Sequence, residues 1–385
     1  MTQTIAILCG GRGGEHQVSL RSALGIYAAL DRSRYSPILA ALDRHGSWRA
    51  GSPDGLLLYP DDPARIAINP QAPRVVLDGE AGRGRLLNRQ GYTLLTEVDV
   101  FFPIIHGTGG EDGALQGWLR FLGAPFVGPD VLGSALGMDK EVAKRLLHGA
   151  GVPVARWKTL RRPDQGPDMF DAVREEFGLP VYVKPASQGS SVGVSRADNR
   201  NSFGLAVEEA FRHDTKVLVE EAVSGREIEC SVLGGAGAGA DPSGLGLAVP
   251  GKKGTAQTQA SVAGEIIPRH GFYTYEAKYL DADGASLVVP ARLPPGVLER
   301  VQAMAVEVFE TLECYGMARV DFFLKPDGGL VVNEINTLPG FTPISMYPKL
   351  WEAAGLSYSG LLTRLIGLAV LRHEKLENIV AGDGL

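Results

Sequence analysis

The chain has 385 residues, 44% of them hydrophobic and 21% charged, which is ordinary for a soluble globular protein with room for two or three domains. A formal charge of -6 at pH 7 excludes a dominant nucleic-acid surface, since phosphate backbones demand clustered Lys and Arg, but leaves small anionic ligands open. The widely separated Cys9, Cys230 and Cys314 argue against a disulfide framework or zinc site, and with neither a basic leader nor about 20 consecutive apolar residues the expectation is a soluble, untargeted cytoplasmic protein.

The amino-terminal part alternates as parallel α/β units do: strand Ile5 to Cys9, glycine loop Gly10 to Gly14, helix from about Ser19 to Leu30, strand Pro37 to Leu42. A further strand, Val98 to Ile105, leads into the loop His106 to Gly113 and a helix from about Ala114 to Leu122. Together they read as a small doubly wound parallel-sheet domain with ligand loops at the strand carboxyl ends. Between them, Ala50 to Arg89 is rich in Gly, Pro and Asp and is expected to decorate the surface. From about Asp130 the texture changes to a helix carrying Met138-Asp139-Lys140, a helix near Asp168 to Phe177, and a strand Val181 to Lys184. That strand ends in a Gly/Ser loop, Pro185 to Gly193, and strands Lys216 to Glu220 and Glu227 to Leu233 follow. Gly234 to Gly246, almost all Gly and Ala, reads as a flexible connection without chemistry.

The segment Arg319 to Leu324, the turn Lys325 to Gly329, and Leu330 to Asn336 predict two strands around a turn. Alternation puts Arg319 and Asp321 on one face of the first, and Glu334 and Asn336 on one face of the second. Two carboxylates and a carboxamide suit a hard divalent cation such as Mg²⁺, and an arginine beside them would grip phosphate oxygens with its fork. An ordinary surface hairpin with salt bridges would carry the same residue types. The continuation Asn336-Thr337-Leu338-Pro339-Gly340-Phe341-Thr342-Pro343 favours a metal-nucleotide site, because a Gly/Pro loop brings backbone N–H groups beside the acids.

Standard phosphate motifs fail elsewhere. Gly246 to Lys253 nearly spells a P-loop, but Lys253 stands where a metal-binding Ser or Thr is needed, and Gly10 to Gly14 lacks the dinucleotide spacing. Lys184 with Gln188-Gly189-Ser190-Ser191-Val192-Gly193 is either a plain turn or, with Lys140 and a separate metal cluster, a polyphosphate cradle. Glu15 either binds a substrate ammonium or caps the first helix. No histidine, His106 included, sits in a metal-binding pattern. Tyr273, Tyr275 and Tyr279, flanking Glu276 and Lys278, form either an ordinary hairpin or a lid that keeps water from phosphoryl transfer.

Taken in order, these segments resemble the D-alanine:D-alanine ligases of the ATP-grasp superfamily. The resemblance is carried by Gly10 to Leu20 around Glu15, His106-Gly with Gly110 to Gly113, Met138-Asp-Lys140, and Val183-Lys-Pro185 with Gly189 to Gly193. Tyr275 to Tyr279, Arg319-Val-Asp321, Asn333-Glu-Ile-Asn336 and Pro339-Gly340 complete it.

This resemblance implies an ATP-grasp fold, mixed α/β and α+β, with an amino-terminal doubly wound domain (1–128), a central domain (129–219) and a carboxyl-terminal domain (220–385) that carries the metal site and lid. By matching positions, Lys140, Lys184 and Lys278, with Ser190 and Ser191, would touch ATP phosphates. Glu220, Glu221 and Val223 would line the adenine pocket, and Glu227 would hold the ribose. Asp321, Glu334 and Asn336 would hold two Mg²⁺ or Mn²⁺ ions. Glu15 would bind the first D-alanine's ammonium and join Ser190 and Tyr279 in latching the lid; His106 would line the substrate site, and Ser345 and Met346 would receive the second D-alanine. Arg319 and the Gly340 N–H would stabilise the tetrahedral oxyanion. The implied activity is D-alanyl-D-alanine synthesis for peptidoglycan precursors, by a homodimer with no membrane or nucleic-acid partner and with a monovalent cation as an optional aid. A D-alanine:D-lactate ligase and a non-catalytic ATP sensor are the alternatives; Tyr279 favours the dipeptide enzyme, and an intact catalytic set opposes the sensor. Glu221 departs from the lysine of some relatives, and Ala50 to Arg89, Arg161 to Gly166 and Gly234 to Gly246 look longer or more irregular than a minimal member.

Overall fold

From Ile5 onward every residue of the strand Gln3–Gly10 is buried, as a central parallel strand covered on both faces requires. It pairs in parallel with Tyr35–Leu42 on one side and Val100–Pro103 on the other. Antiparallel strands extend this parallel core into a mixed seven-stranded sheet. The computed structural model describes residues 2–80, 82–162, 165–235, 258–268 and 285–382. The expected lid around Tyr273 to Tyr279, the near P-loop ending at Lys253, and most of the Gly/Ala run lie outside the described residues.

Three readings of the amino-terminal part are corrected. The segment from Ala50 to Arg89 does not merely decorate the surface: Arg74–Glu80 and Arg83–Asn88 are a hairpin of the main sheet, with Leu77 opposite Leu86. Val75, Leu77 and Leu86 alternate into the core beside Phe101, while the Gly, Pro and Asp content belongs to the turns. The strand expected from Val98 to Ile105 is two strands broken at Asp99, whose carboxylate accepts from Thr4 N at 2.7 Å. The first helix begins at His16 rather than Ser19, directly after Glu15.

A second break falls inside Met138-Asp139-Lys140. Asp139 separates the helices Val131–Met138 and Lys140–Gly149 and caps the latter, its side chain accepting from Glu141 N and Val142 N at 3.1 Å each.

Two further sheets complete the architecture. A four-stranded antiparallel sheet orders Trp157–Leu160, Val217–Glu221, Val181–Pro185 and Ser195–Ala197. Its Val181, Val183, Val217 and Val219 pack against helices Gln165–Phe177 and Arg200–Phe211, so Lys184 and Glu220 point from the other face. A five-stranded antiparallel sheet runs Ala285–Val288, Gln259–Pro268, Arg226–Gly234, Gly316–Leu324, Leu330–Asn336. Helix Val297–Thr311 covers the face carrying Ile228, Val320 and Phe322, which leaves Glu229, Arg319, Asp321 and Glu334 on the opposite face.

The final helix, Tyr358–Gly382, returns to the first sheet, burying Leu361, Leu365 and Ile366 in the same cluster as Ile5 and Ile7. No single helix among the described residues is long and apolar enough to cross a membrane.

Candidate active site

A cleft of about 830 Å³, open to solvent, brings together Glu15, Ser190, Glu229, Arg319, Glu334 and Gly340. Glu15 sits at the N-cap of the first helix, but its side chain makes no capping bond. Its carboxylate instead accepts from the Ser190 hydroxyl, across 175 residues of sequence. Ser190 and Ser191 hold φ of 50° and 60°, the left-handed region that non-glycine residues rarely occupy. Neighbouring Gly189 leaves room for the contact: a Cβ there would lie 3.0 Å from Glu15 Oε2.

On the five-stranded sheet, register creates an acidic row. Glu229 is paired with Asp321, and Asp321 with Glu334, so three carboxylates cross three adjacent strands. Arg319, paired with Asn336, lies beside them. Its Nε and NH2 each reach Asp321 at 2.7 Å, and Nε lies 3.0 Å from Glu229 Oε2. Asn336 Nδ2 donates to Asp321 Oδ2 at 3.0 Å, and Lys140 Nζ stands 3.6 Å from Glu334.

This donor set fits a hard divalent cation, because the side-chain oxygens of Asp321, Glu334 and Asn336 share one face with negative charge to spare. Both Asp321 oxygens are turned onto the Arg319 fork, and among the described residues no group of three or more His, Cys, Asp or Glu is already arranged around a common centre. A cation bound here would share or displace that fork. Glu227 joins Asp321 and Glu334 around the adjoining cavity.

Lys140 extends toward the Gly/Ser loop, donating to Gln188 O at 2.6 Å. Deeper in the second sheet, Lys184 is 2.9 Å and Lys144 3.4 Å from the buried Glu220. Burial alone would raise the Glu220 carboxyl, but the two ammonium groups outweigh it and hold it below the usual range. Burial pushes Lys144 the other way, below ordinary lysines, against the attraction of Glu220. Glu221 turns its carboxylate outward onto Arg156, at 2.7 Å from both Nε and NH2.

In the wall of the cleft, His106 Nδ1 lies 3.0 Å from Leu338 O, and Glu111 accepts from Gly107 N at 2.9 Å and Leu338 N at 3.2 Å. Ser345 precedes the helix Met346–Ala353 and both Ser345 and Met346 line the cleft; Ser345 Oγ is bonded to Thr342 N at 2.9 Å and Thr342 Oγ1 at 2.8 Å. Lys278 and Tyr279 lie outside the described residues.

Sequence reasoning missed Glu111, Glu229 and Lys144. Glu111 was visible inside the Gly110 to Gly113 motif but carried no role; Glu229 needed the cross-strand register; Lys144, one turn after Lys140, has the look of a solvated helix charge.

Glu111 is pushed up to about 8, first by burial, then by the Glu15 charge, with its two backbone N–H bonds pulling only partly back. An acid whose folded value lies above its unfolded value near 4.5 contributes most stability at low pH and loses it as pH climbs toward about 8. Glu111→Gln should therefore flatten the fall in unfolding free energy between about pH 5 and about pH 9, measured by urea titration; an unchanged fall would refute the assignment.

Two antiparallel sheets turning lysines and a carboxylate row toward one another, beside an α/β domain, define an ATP-grasp ligase. Family comparison agrees: "D-ala D-ala ligase N-terminus" matches residues 4–129 and "D-ala D-ala ligase C-terminus" residues 146–367. The chain belongs to the D-alanine:D-alanine ligase family. It is 47% identical over 371 residues to the D-alanine–D-alanine ligase of Shouchella clausii, covering 96% of this chain and 95% of that protein. It is 47% identical over 369 residues to D-alanine–D-alanine ligase A of Escherichia coli (strain K12), covering 96% of each. Among solved structures, the D-alanine-D-alanine ligase of Coxiella burnetii superposes with a TM-score of 0.80 at 34% identity, covering 99% of this chain and 97% of that one. The VanG D-Ala:D-Ser ligase of Enterococcus faecalis does so at 0.78 and 31%, covering 96% and 100%.

Proposed function

We propose that this protein joins two D-alanines into D-alanyl-D-alanine for peptidoglycan precursor synthesis, cleaving ATP to ADP and phosphate. One observation carries the reading: Arg319, Glu334 and the Gly340 loop line the same cleft as the Glu15 and Ser190 pair. Phosphate chemistry and a carboxylate-and-amine substrate site are thereby adjacent.

Glu15 binds the ammonium of the first D-alanine, His106 lines its site, and Ser345 with Met346 receives the second D-alanine. Lys140, Lys184, Lys278, Ser190 and Ser191 hold the ATP phosphates; Glu220, Glu221 and Val223 line the adenine pocket, and Glu227 takes the ribose. For Glu221 the backbone is the contact, since its side chain is committed to Arg156. Asp321, Glu334 and Asn336 would hold two Mg²⁺ or Mn²⁺ ions, which when bound neutralise charge on the transferring phosphoryl group. Tyr279 joins Glu15 and Ser190 to close the lid and exclude water.

The first D-alanine's carboxylate oxygen attacks the γ-phosphorus, the bond to the β-bridging oxygen breaks, and ADP leaves an acyl phosphate. The second D-alanine, having lost an ammonium proton, attacks that carbonyl through nitrogen. Arg319 and the Gly340 N–H stabilise the oxyanion, contacts typically worth about 2.7 to 4 kcal/mol each. Collapse expels phosphate, and the nitrogen sheds its second proton to leave the peptide. We extend the proposal to a cytoplasmic homodimer with D-alanine and ATP as its substrates, no membrane or nucleic-acid partner, and a monovalent cation as an optional aid. The net charge of -6 supports the exclusion of nucleic acid.

Product analysis tests the reading. Given ATP, magnesium, D-alanine, D-serine and D-lactate together at neutral pH, the protein should release mainly D-alanyl-D-alanine. Predominant ester would transfer it to the D-lactate ligases, and predominant mixed dipeptide to enzymes like the D-Ala:D-Ser neighbour.

A further inference from the structure

The loop that carries Gly340 is held from outside its own hairpin. Leu338 and Phe341 bracket Pro339-Gly340, and both are bonded to side chains of the first domain. His106 Nδ1 meets Leu338 O at 3.0 Å, His106 Nε2 meets Ser22 Oγ at 3.1 Å, and Phe341 N donates to the same Ser22 Oγ at 3.2 Å.

Chemistry fixes the direction of this chain. Leu338 O accepts only, so Nδ1 must carry the proton. Burial lowers the His106 pKa, with Arg319 adding to that and Glu15 and the Leu338 bond opposing it, so the ring is neutral and Nε2 is an acceptor. The Ser22 hydroxyl then donates to Nε2 and accepts from Phe341 N. Ser22 Oγ donates once and accepts once, every other polar atom of the chain serves in one sense, and the chain begins and ends on the Gly340 loop. Ser22 is 0% exposed, so water does not compete.

A close approach at Gly25, three residues after Ser22 on the same helix, supports the tie: a Cβ there would come within 2.3 Å of Phe341 O. Tyr358 OH donates to that same oxygen at 2.7 Å. The helix that presses on Phe341 is also the one whose N-cap is Glu15.

We propose that Ser22 and His106 are positioning residues that set the Gly340 N–H in register with the first-substrate site, so that the oxyanion of the second chemical step is met by an already aligned donor. This rests on the ligase reading above and adds to it a purpose for two side chains that the reaction itself does not consume. Because the acyl phosphate forms before any oxyanion arises, losing the alignment slows peptide formation selectively.

The experiment separates the steps. Ser22→Ala should lower kcat for dipeptide synthesis about tenfold to hundredfold, the scale of a misplaced catalytic group, with KM for ATP and the first D-alanine little changed. D-alanine-dependent scrambling of oxygen label between the β,γ-bridge and the β-nonbridging oxygens of ATP, which reports reversible acyl-phosphate formation, should persist at the wild-type rate. Ser22→Cys, which keeps a weak donor, should fall between wild type and Ser22→Ala, and is read in the same way if Ser22→Ala does not fold. Equal losses in both readouts, or no loss in either, would overturn the inference. Wild-type protein that releases no D-alanyl-D-alanine would sink the ligase reading, and this inference with it.

Discussion

Asp321→Asn combined with Glu334→Gln is expected to cut dipeptide synthesis at saturating ATP and magnesium by on the order of a thousandfold or more, the scale seen when charge neutralisation is removed from phosphoryl transfer. Both substitutions keep side-chain size and change only charge, so the loss tests cation binding rather than packing. The fold should survive. Arg319 retains Glu229 as a partner at 3.0 Å after Asp321 is neutralised, and Lys140 retains Gln188 O at 2.6 Å after Glu334 is. The row is moreover a set of like charges, and relieving their repulsion offsets part of the lost attraction to Arg319. Two measurements settle the outcome: turnover, and Mn²⁺ binding by electron paramagnetic resonance in the presence of nucleotide. Near-wild-type turnover with manganese still bound would remove Asp321 and Glu334 from the metal site.

The hairpin Gly316–Leu324 and Leu330–Asn336 was legible in the sequence because both its turn and its alternation are local. Counting back from the turn would set Asp321 opposite Asn333; the irregularity between Asp321 and Phe322 moves its partner on to Glu334, which the turn alone does not dictate. The third member of the row was not legible. Glu229 reaches Asp321 only through pairing of Arg226–Gly234 with Gly316–Leu324, and no local signal dictates a register between strands so far apart.

Helix and strand boundaries failed where a single polar residue overrode a continuous pattern. Asp99 interrupts an apolar run and Asp139 a helical one, each by offering a carboxylate to a backbone N–H. The hairpin at Arg74–Asn88 was hidden by turn residues dense enough to mask short strands. In the site, Glu15 offered two uses of equal weight in sequence, and geometry removes one of them: its carboxylate does not cap the helix it precedes and accepts from Ser190 instead. Ser22 gave no signal at all. A serine between Arg21 and Ala23 on a helix is chemically silent until the fold delivers His106 and Phe341 to it.

Arg319→Met is expected to lower kcat by about 10² to 10³ with little change in KM for ATP, because in the proposed mechanism the guanidinium meets charge that develops only after ATP has reacted. The same side chain also holds Asp321 and Glu229 together, and Glu229 is only 7% exposed. Its loss takes a cation away from a largely buried carboxylate, and breaking a buried pair costs up to about 3–5 kcal/mol. Activity must therefore be read well below the variant's own unfolding temperature. Arg319→Lys separates the two roles: it restores a charge to the acidic row, and with it most of the stability, but a point ammonium cannot reproduce the two parallel 2.7 Å contacts of the fork. If orientation of the fork matters to the oxyanion, Arg319→Lys will be nearly as stable as wild type and still slow. An effect of Arg319→Met confined to KM, or full turnover in Arg319→Lys, would leave Arg319 as a structural counter-charge and pass the oxyanion to the Gly340 N–H alone.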